Sequence, residues 1–291
     1  MKKIIGIASA AALLLVAGSP AFCQRQVAFK LLGGLAWMQG DDYDTGVLGA
    51  YRLAKDTSDS LTGGFGQLSG GWTLQAEIVN YWGSHIGVGI GGGFYRMTGT
   101  SGVAGTASVP DPTYQFTSVY TPKISVIPFF VNLHYKFQAT ERIGADVFAG
   151  PVFQVAQYGF RRDATSSLNS LSELETFNAS DTALGLQGGL TLSFRIIRGV
   201  TFIAEGFYRS GRVSNIKGNW FLNSTTSSGT ITTSSSAYYL WAYDLTSGGT
   251  VYPQIGYFDA NGPAGEGVGN PRKASLNLSG PAVLIGFRFG I

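Results

Sequence analysis

The chain has 291 residues, among them 42 glycines, and only 13% are charged, where a soluble globular domain carries about a quarter. Its net charge of +3 is spread along the sequence without a basic block, which excludes a nucleic-acid footprint, and a single cysteine excludes a disulfide framework. Few charges, many glycines and 13% aromatic residues suit a β-barrel.

Met1, Lys2 and Lys3 precede a short apolar run from Ile4 to Ala17, and the pattern ends near Ser19-Pro-Ala-Phe-Cys-Gln24. This is the layout of a signal peptide, residues 1–23, cut after Ala21 or Cys23. Phe22 occupies the position where a lipoprotein signal needs a small residue, which argues against anchoring through Cys23. Beyond the signal no apolar run approaches the roughly 20 residues of a spanning helix, so membrane insertion would have to be by strands.

Residues 24–291 form one expected domain. The first strand, 25–38, sets Val27, Phe29, Leu31, Leu35 and Trp37 opposite Ala28, Lys30, Leu32 and Ala36, the two-residue period of a strand with unlike faces. After a long polar segment, 72–81 sets Trp72, Leu74, Ala76 and Ile78 opposite Thr73, Gln75 and Glu77. A tight turn at 82–84 leads into 85–95, where Ile86, Val88, Ile90 and Phe94 alternate with His85 and a run of glycines, leaving room on the inner face for bulk from elsewhere. Residues 123–137 place Ile127, Phe129, Val131, Leu133, Tyr135 and Phe137 opposite Asn132, His134 and Lys136.

Then 143–158 opposes Val147, Ala149, Phe153 and Val155 to Asp146 and Gln154, and 183–196 opposes Leu184, Leu186, Leu190, Leu192, Phe194 and Ile196 to Gln187, Thr191, Ser193 and Arg195. Strand 200–209 carries Phe202, Ala204 and Tyr208 against Glu205 and Arg209. The last strand alternates Val283, Ile285, Phe287, Phe289 and Ile291 with Gly286, Arg288 and Gly290. It must pair on both edges, and inside lipid a sheet closed on itself achieves this. The expected fold is all-β: a single antiparallel up-and-down transmembrane barrel of eight strands.

Tight turns alternate with long polar segments at 39–71, 97–122, 159–182 and 210–272, the asymmetry of short periplasmic turns and long extracellular loops. Within the last segment, Ala237-Tyr-Tyr-Leu-Trp-Ala-Tyr-Asp244 and 250–258 could add a membrane hairpin, making ten strands, or a β-extension outside; the Ser/Thr-rich flanks and Pro253 favour the extension. Lys30, Glu77, Lys136, Asp146, Arg195, Glu205, Arg209 and Arg288 all fall opposite the apolar face, as a cost of roughly 2–4 kcal/mol for a cation on mid-bilayer lipid requires. Arg96 and Asn277 take the lipid parity near external strand ends.

The runs Ile127-Pro-Phe-Phe-Val-Asn-Leu-His-Tyr-Lys-Phe137, Asp146-Val-Phe-Ala-Gly-Pro151, Gly185-Leu-Gln-Gly-Gly-Leu190, Leu276-Asn-Leu-Ser-Gly280 and Gly286-Phe-Arg-Phe289 resemble the bacterial outer-membrane β-barrel domain family of small OmpA-, OmpX- and OmpW-like barrels. The resemblance covers 26–291 and rests on barrel grammar. It departs from that family in ending on Ile291 and in having no peptidoglycan-binding domain after the barrel. Its OmpX-like side implies a non-catalytic protein acting structurally or through its external loops. Its OmpW-like side implies a narrow conduit for small hydrophobic or polar solutes. Either implies outer-membrane lipid and lipopolysaccharide, and the barrel-assembly machinery, as partners.

The inward charges Lys30, Glu77, Asp146, Arg195, Glu205, Arg209 and Arg288 form a candidate lumen network. An eight-stranded bore is just filled by side chains, which favours a salt-bridged plug over a channel. Tyr81, Trp82, Tyr135, Phe137, Tyr208 and Phe289, near strand ends, read as an aromatic girdle. Tyr238, Tyr239, Trp241 and Tyr243 are candidates for contact with an extracellular ligand or surface partner. His85 and His134 read as inward, hydrogen-bonded histidines; with no third ligand at zinc-like spacing, no metal and no cofactor are expected. No histidine stands at the external face for a Ser-His-acid site, so no enzyme is expected. Asp42-Tyr-Asp-Thr-Gly46 starts like a calcium loop, but Leu53 stands at the bidentate position, which leaves an Asx-rich turn.

Overall fold

A computed structural model of the protein describes residues 26–66, 68, 70–108 and 113–290. The expected signal peptide, and Arg25 and Ile291 at the two ends of the strand pattern, lie outside the described residues. The elements in order are β1 (Gln26–Trp37), α1 (Asp42–Thr57), β2 (Ser60–Gly64), β3 (Gly70–Trp82), β4 (Ile86–Thr98), β5 (Ser101–Ala107), β6 (Tyr114–Gln138), β7 (Ile143–Ser166) and β8 (Leu171–Ile197). There follow β9 (Val200–Arg209), β10 (Arg212–Val213), β11 (Lys217–Thr226), β12 (Gly229–Ser247), β13 (Thr250–Phe258), β14 (Val268–Lys273), β15 (Leu276–Asn277) and β16 (Gly280–Gly290).

Eight of these strands close a ring in the order β1, β3, β4, β6, β7, β8, β9, β16, every neighbour antiparallel. The closure runs from Ala28↔Gly290 to Ala36↔Ala282, so the last strand meets the first along nearly its whole length and the ring has no free edge. The alternation in the sequence becomes the two faces of the wall. Leu31, Leu74, Ile78, Leu133, Leu192 and Ile285 are each more than half exposed outside, while Lys30, Leu32, Val79, His134, Ile203 and Leu284 are buried inside.

Three segments read as loops are strands instead. β6, β7 and β8 are 25, 24 and 27 residues long, against the roughly 9–11 that a tilted strand needs to cross a bilayer. They run on past the apolar zone as paired ribbons, with β7 and β8 in unbroken register from Ile143↔Phe194 to Ser166↔Leu171. β5 extends the same wall beside β6, and β11 pairs with the outer part of β8. The aromatic hairpin of 237–258 forms as β12 and β13, and it sits on β11 and off the ring, so the ring keeps eight strands and not ten. In water, paired Ser, Thr and Gly need no apolar alternation, which is why these ribbons read as loops.

The segment 39–71 holds a helix where a loop and an Asx-rich turn were expected. Asp42 and Asp44 lie in the first turn of α1 and Lys55 in its last, matching the helix dipole, and Tyr43, Gly46 and Val47 fall on its buried side. Gly46 and Gly49 lie directly against Ile255 and the Pro253 carbonyl of β13, where a Cβ would not fit, so these two glycines are what let the helix seat. Tyr43 and Val47 join Met97, Ile124, Tyr158, Phe177, Leu240 and Leu276 in one core, which makes the outer segments a folded cap. A second, smaller core of Leu32, Phe148, Ile203, Phe207 and Leu284 lies inside the ring.

Candidate functional site

Strand register sets the lumen chemistry. Lys30 on β1 lies opposite Glu77 on β3 and Arg288 on β16, and Thr191 on β8 lies between Asp146 on β7 and Glu205 on β9. All six point inward, and buried charges must find partners or bear a heavy desolvation cost. Lys30 Nζ lies 3.0 Å from Glu77 Oε2 and 3.4 Å from Glu205 Oε2. His134 sits between two carboxylates, Nε2 at 2.8 Å from Glu77 Oε1 and Nδ1 at 3.0 Å from Asp146 Oδ1. A ring with an N–H on each side satisfies both acceptors, and it balances Lys30, His134 and Arg288 against Glu77, Asp146 and Glu205.

Neutral groups extend the network along the bore. The Tyr81 hydroxyl donates to Asp146 Oδ2 at 2.5 Å, and Thr191 Oγ1 donates to Glu205 Oε2 at 2.9 Å. Asn132 Nδ2 donates to Glu77 Oε1 at 2.9 Å, and Gln187 Nε2 donates to Asn132 Oδ1 at 3.0 Å. Arg209 closes the chain by donating from Nε and Nη2 to Gln187 Oε1, at 3.1 and 2.9 Å. Polar side chains thus cross the lumen in a continuous path. The glycines of β4 make this possible: a Cβ on Gly89 would run into the Glu77 carboxylate and the His134 ring, and one on Gly91 would run into Phe130.

The structure brings together Lys30, Glu77, Asp146, Glu205 and Arg288, with Arg209 linked through Gln187 and Asn132. Arg195 stands apart: it is exposed at the short-turn mouth, where with Lys136, Arg142 and Arg288 it lines a small cavity of about 30 Å³. Parity alone cannot tell an exposed residue at the rim from a buried one in the bore. His85, expected inward, is exposed in the turn before β4 and stacks on Tyr135, across the wall from His134.

Trp82, Tyr135, Phe137, Tyr208 and Phe289 lie on the outer face near strand ends, whereas Tyr81 is buried in the bore. Tyr81 shares the parity of Glu77, so the alternation already placed it inside. The four cap aromatics are largely used within the cap. Tyr238 stacks on Trp220 with centroids 5.0 Å apart, and Tyr243 meets Phe258 edge-on. Trp241 is buried and donates from Nε1 to the Asp259 carbonyl, and Tyr239 lies under the Lys217 and Lys273 ammonium groups. What fastens the cap is Asp42. Its carboxylate accepts a bidentate pair from Arg272 and two further bonds from Ser275, N–H at 2.8 Å and Oγ at 3.0 Å.

The fold and lumen define a class: a closed antiparallel ring, apolar without and ionic within. No family model matches the chain, and no curated protein matches it. Among solved structures it is similar to a major outer membrane protein from Thermus thermophilus, at 12% identity over 92% of this chain and 100% of that one, with a TM-score of 0.35. It is similar also to the outer membrane protein OprG from Pseudomonas aeruginosa (12% identity, 91% and 95% covered, TM-score 0.39) and to the outer membrane protease OmpT from Escherichia coli (9% identity, 94% and 99% covered, TM-score 0.30).

Proposed function

We propose that this chain is a non-catalytic integral outer-membrane protein: an eight-stranded transmembrane barrel with an ion-paired plug, acting structurally or through contacts of its folded external cap. The observation that carries the reading is the outer face of the ring. Leucine, isoleucine, valine and phenylalanine side chains stand exposed on every one of its strands, whereas soluble monomers rarely leave apolar patches of more than a few hundred Å² open to water. A bilayer is the solvent that suits such a band, and the absence of a sheet edge meets the demand that lipid makes on backbone hydrogen bonding. The short turns then face the periplasm and the cap faces outward. Lipid and lipopolysaccharide around the wall, and the barrel-assembly machinery during insertion, are the partners this location entails.

Support for a plug comes from the bore itself, where Lys30, Glu77, His134, Asp146 and Glu205 interlock with at most 4% exposure each. Purified protein in planar bilayers should give no discrete conductance steps. Regular single-channel steps would overturn the plug in favour of a narrow porin-like conduit. Recovery of the mature protein in the soluble fraction without detergent would overturn the membrane reading altogether.

A further inference from the structure

The outer wall carries a cavity of about 620 Å³ that the plug and the cap core leave unused. It is built by register across four strands. Lys123 on β6, Gly159 on β7, Asn178 on β8 and Asn219 on β11 form one row of paired positions, and Ser180 and Lys217 are paired in the adjacent row. Gly159 leaves the floor bare beside Lys123 and Asn178, Gly218 lets β11 lie close against the β8 backbone, and no carboxylate lines the cavity. Among the described residues neither Lys123 nor Lys217 has a carboxylate within ion-pair distance; Lys217 rests only on the Tyr239 ring, 5.5 Å away.

The location says what such a site can hold. Directly along β8 stand Leu184 and Leu186, 79% and 66% exposed and the two most lipid-open leucines of the wall. Ser180 is four residues beyond Leu184, about 13 Å along the strand, so the cavity begins where the apolar band ends. We infer that it is a docking site for the phosphorylated sugar headgroup of an outer-leaflet glycolipid. The acyl chains would lie on Leu184, Leu186 and Phe153, the lysines would meet phosphate, and Asn178, Asn219 and Ser180 would meet sugar hydroxyls. The volume exceeds that of a lone phosphate and lies in the range of small-molecule sites, about 300–1,000 Å³. Basic groups at a membrane surface each contribute about a factor of five in affinity for anionic headgroups. The inference rests on the membrane reading above.

The test uses the full mature chain in phosphatidylcholine vesicles doped with lipid A, either bearing its phosphates or dephosphorylated, with co-purifying lipid counted by native mass spectrometry. The expected result is retention of the phosphorylated form over the dephosphorylated one by roughly tenfold or more. That preference should be lost in Lys123→Gln/Lys217→Gln and kept in Lys55→Gln on α1. Equal retention of both lipids, an undiminished preference in the double variant, or complete displacement by inorganic phosphate would each overturn it. Chain that floats with vesicles but shows no preference sinks this inference alone, whereas chain that fails to float sinks the barrel reading with it. Vesicle flotation of the double variant, which alters only exposed side chains, confirms that it still folds.

Discussion

Lys30 and Glu77 are direct cross-strand partners on β1 and β3, 3.0 Å apart between Nζ and Oε2, and the lysine has no exposed surface at all. Removing one partner of such a pair leaves uncompensated charge in a closed bore, a loss of about 3–5 kcal/mol. Lys30→Met should therefore lower the unfolding free energy of the vesicle-inserted protein, read from urea titration, by that amount. Lys30→Met/Glu77→Gln should be less destabilised than Lys30→Met alone, because neutralising one carboxylate restores the charge balance of the bore. A single variant indistinguishable from wild type would mean that the bore is hydrated and that the plug does not hold.

Gly89 is where the network meets the wall. An added methyl would collide with the Glu77 carboxylate and His134 at once, both held on other strands. Gly89→Ala should cost about 1–3 kcal/mol through overpacking, measured in the same urea titration. Gly206, which has open space around its Cβ position, serves as the control. Its alanine variant should unfold close to wild type, and equal effects at both sites would refute the packing account.

Two exposed isoleucines test the proposed membrane band. Ile285 in the middle of β16 is 58% exposed and Ile231 on the cap strand β12 is 70% exposed, yet on the proposed membrane reading one faces lipid and the other the external solution. Ile285→Arg should destabilise the inserted barrel by about 2–4 kcal/mol, whereas Ile231→Arg should stay within about 0.5 kcal/mol. Similar losses would place both residues in the same solvent and remove the membrane band.

How far the sequence carried depended on which solvent each segment meets. In the ring, an apolar outer face and packed charge inside force strict alternation, so β9 has the bounds 200–209 that its pattern gave, and Lys30, Glu77 and Glu205 could be assigned inward from parity alone. Parity carries no burial, which is why Arg195, exposed at the mouth, and Lys30, fully buried, read alike. Past the band the Thr/Ser run at the start of β12 is open to water and pairs with β11 without any apolar period. α1 stayed hidden because Asp42-Tyr-Asp-Thr-Gly46 reads locally as an Asx-rich turn, and only contact with β13, some two hundred positions away, makes Gly46 and Gly49 packing residues. Gln187 and Asn132 join Arg209 to Glu77 through geometry that no spacing rule in the sequence encodes.

The cap should loosen in acid through Asp42. Burial works to raise the pKa of its carboxyl, but hydrogen bonds from the Arg272 guanidinium, the Ser275 N–H and the Ser275 hydroxyl outweigh it and hold the group below the ordinary carboxylate value of 3.8. A carboxyl whose pKa is depressed on folding stabilises the folded state above its unfolded value, and that contribution disappears as pH falls through the folded one. Asp44 acts in the opposite sense: burial raises its pKa against the pull of the Leu68 and Gly40 N–H groups, so its protonation relieves a cost. Hydrogen exchange at the α1 amides should accordingly quicken in the wild type as pH drops below 3.8, after correction for intrinsic rates. In Asp42→Asn the helix should be weaker by roughly 1–2 kcal/mol at neutral pH, since the asparagine keeps only part of the acceptor set. Its acid loosening should vanish or reverse, because the carboxyl left in the first turn of the helix is Asp44, whose protonation relieves a cost. Parallel pH profiles for variant and wild type would show that the Asp42–Arg272 clasp does not hold the cap down.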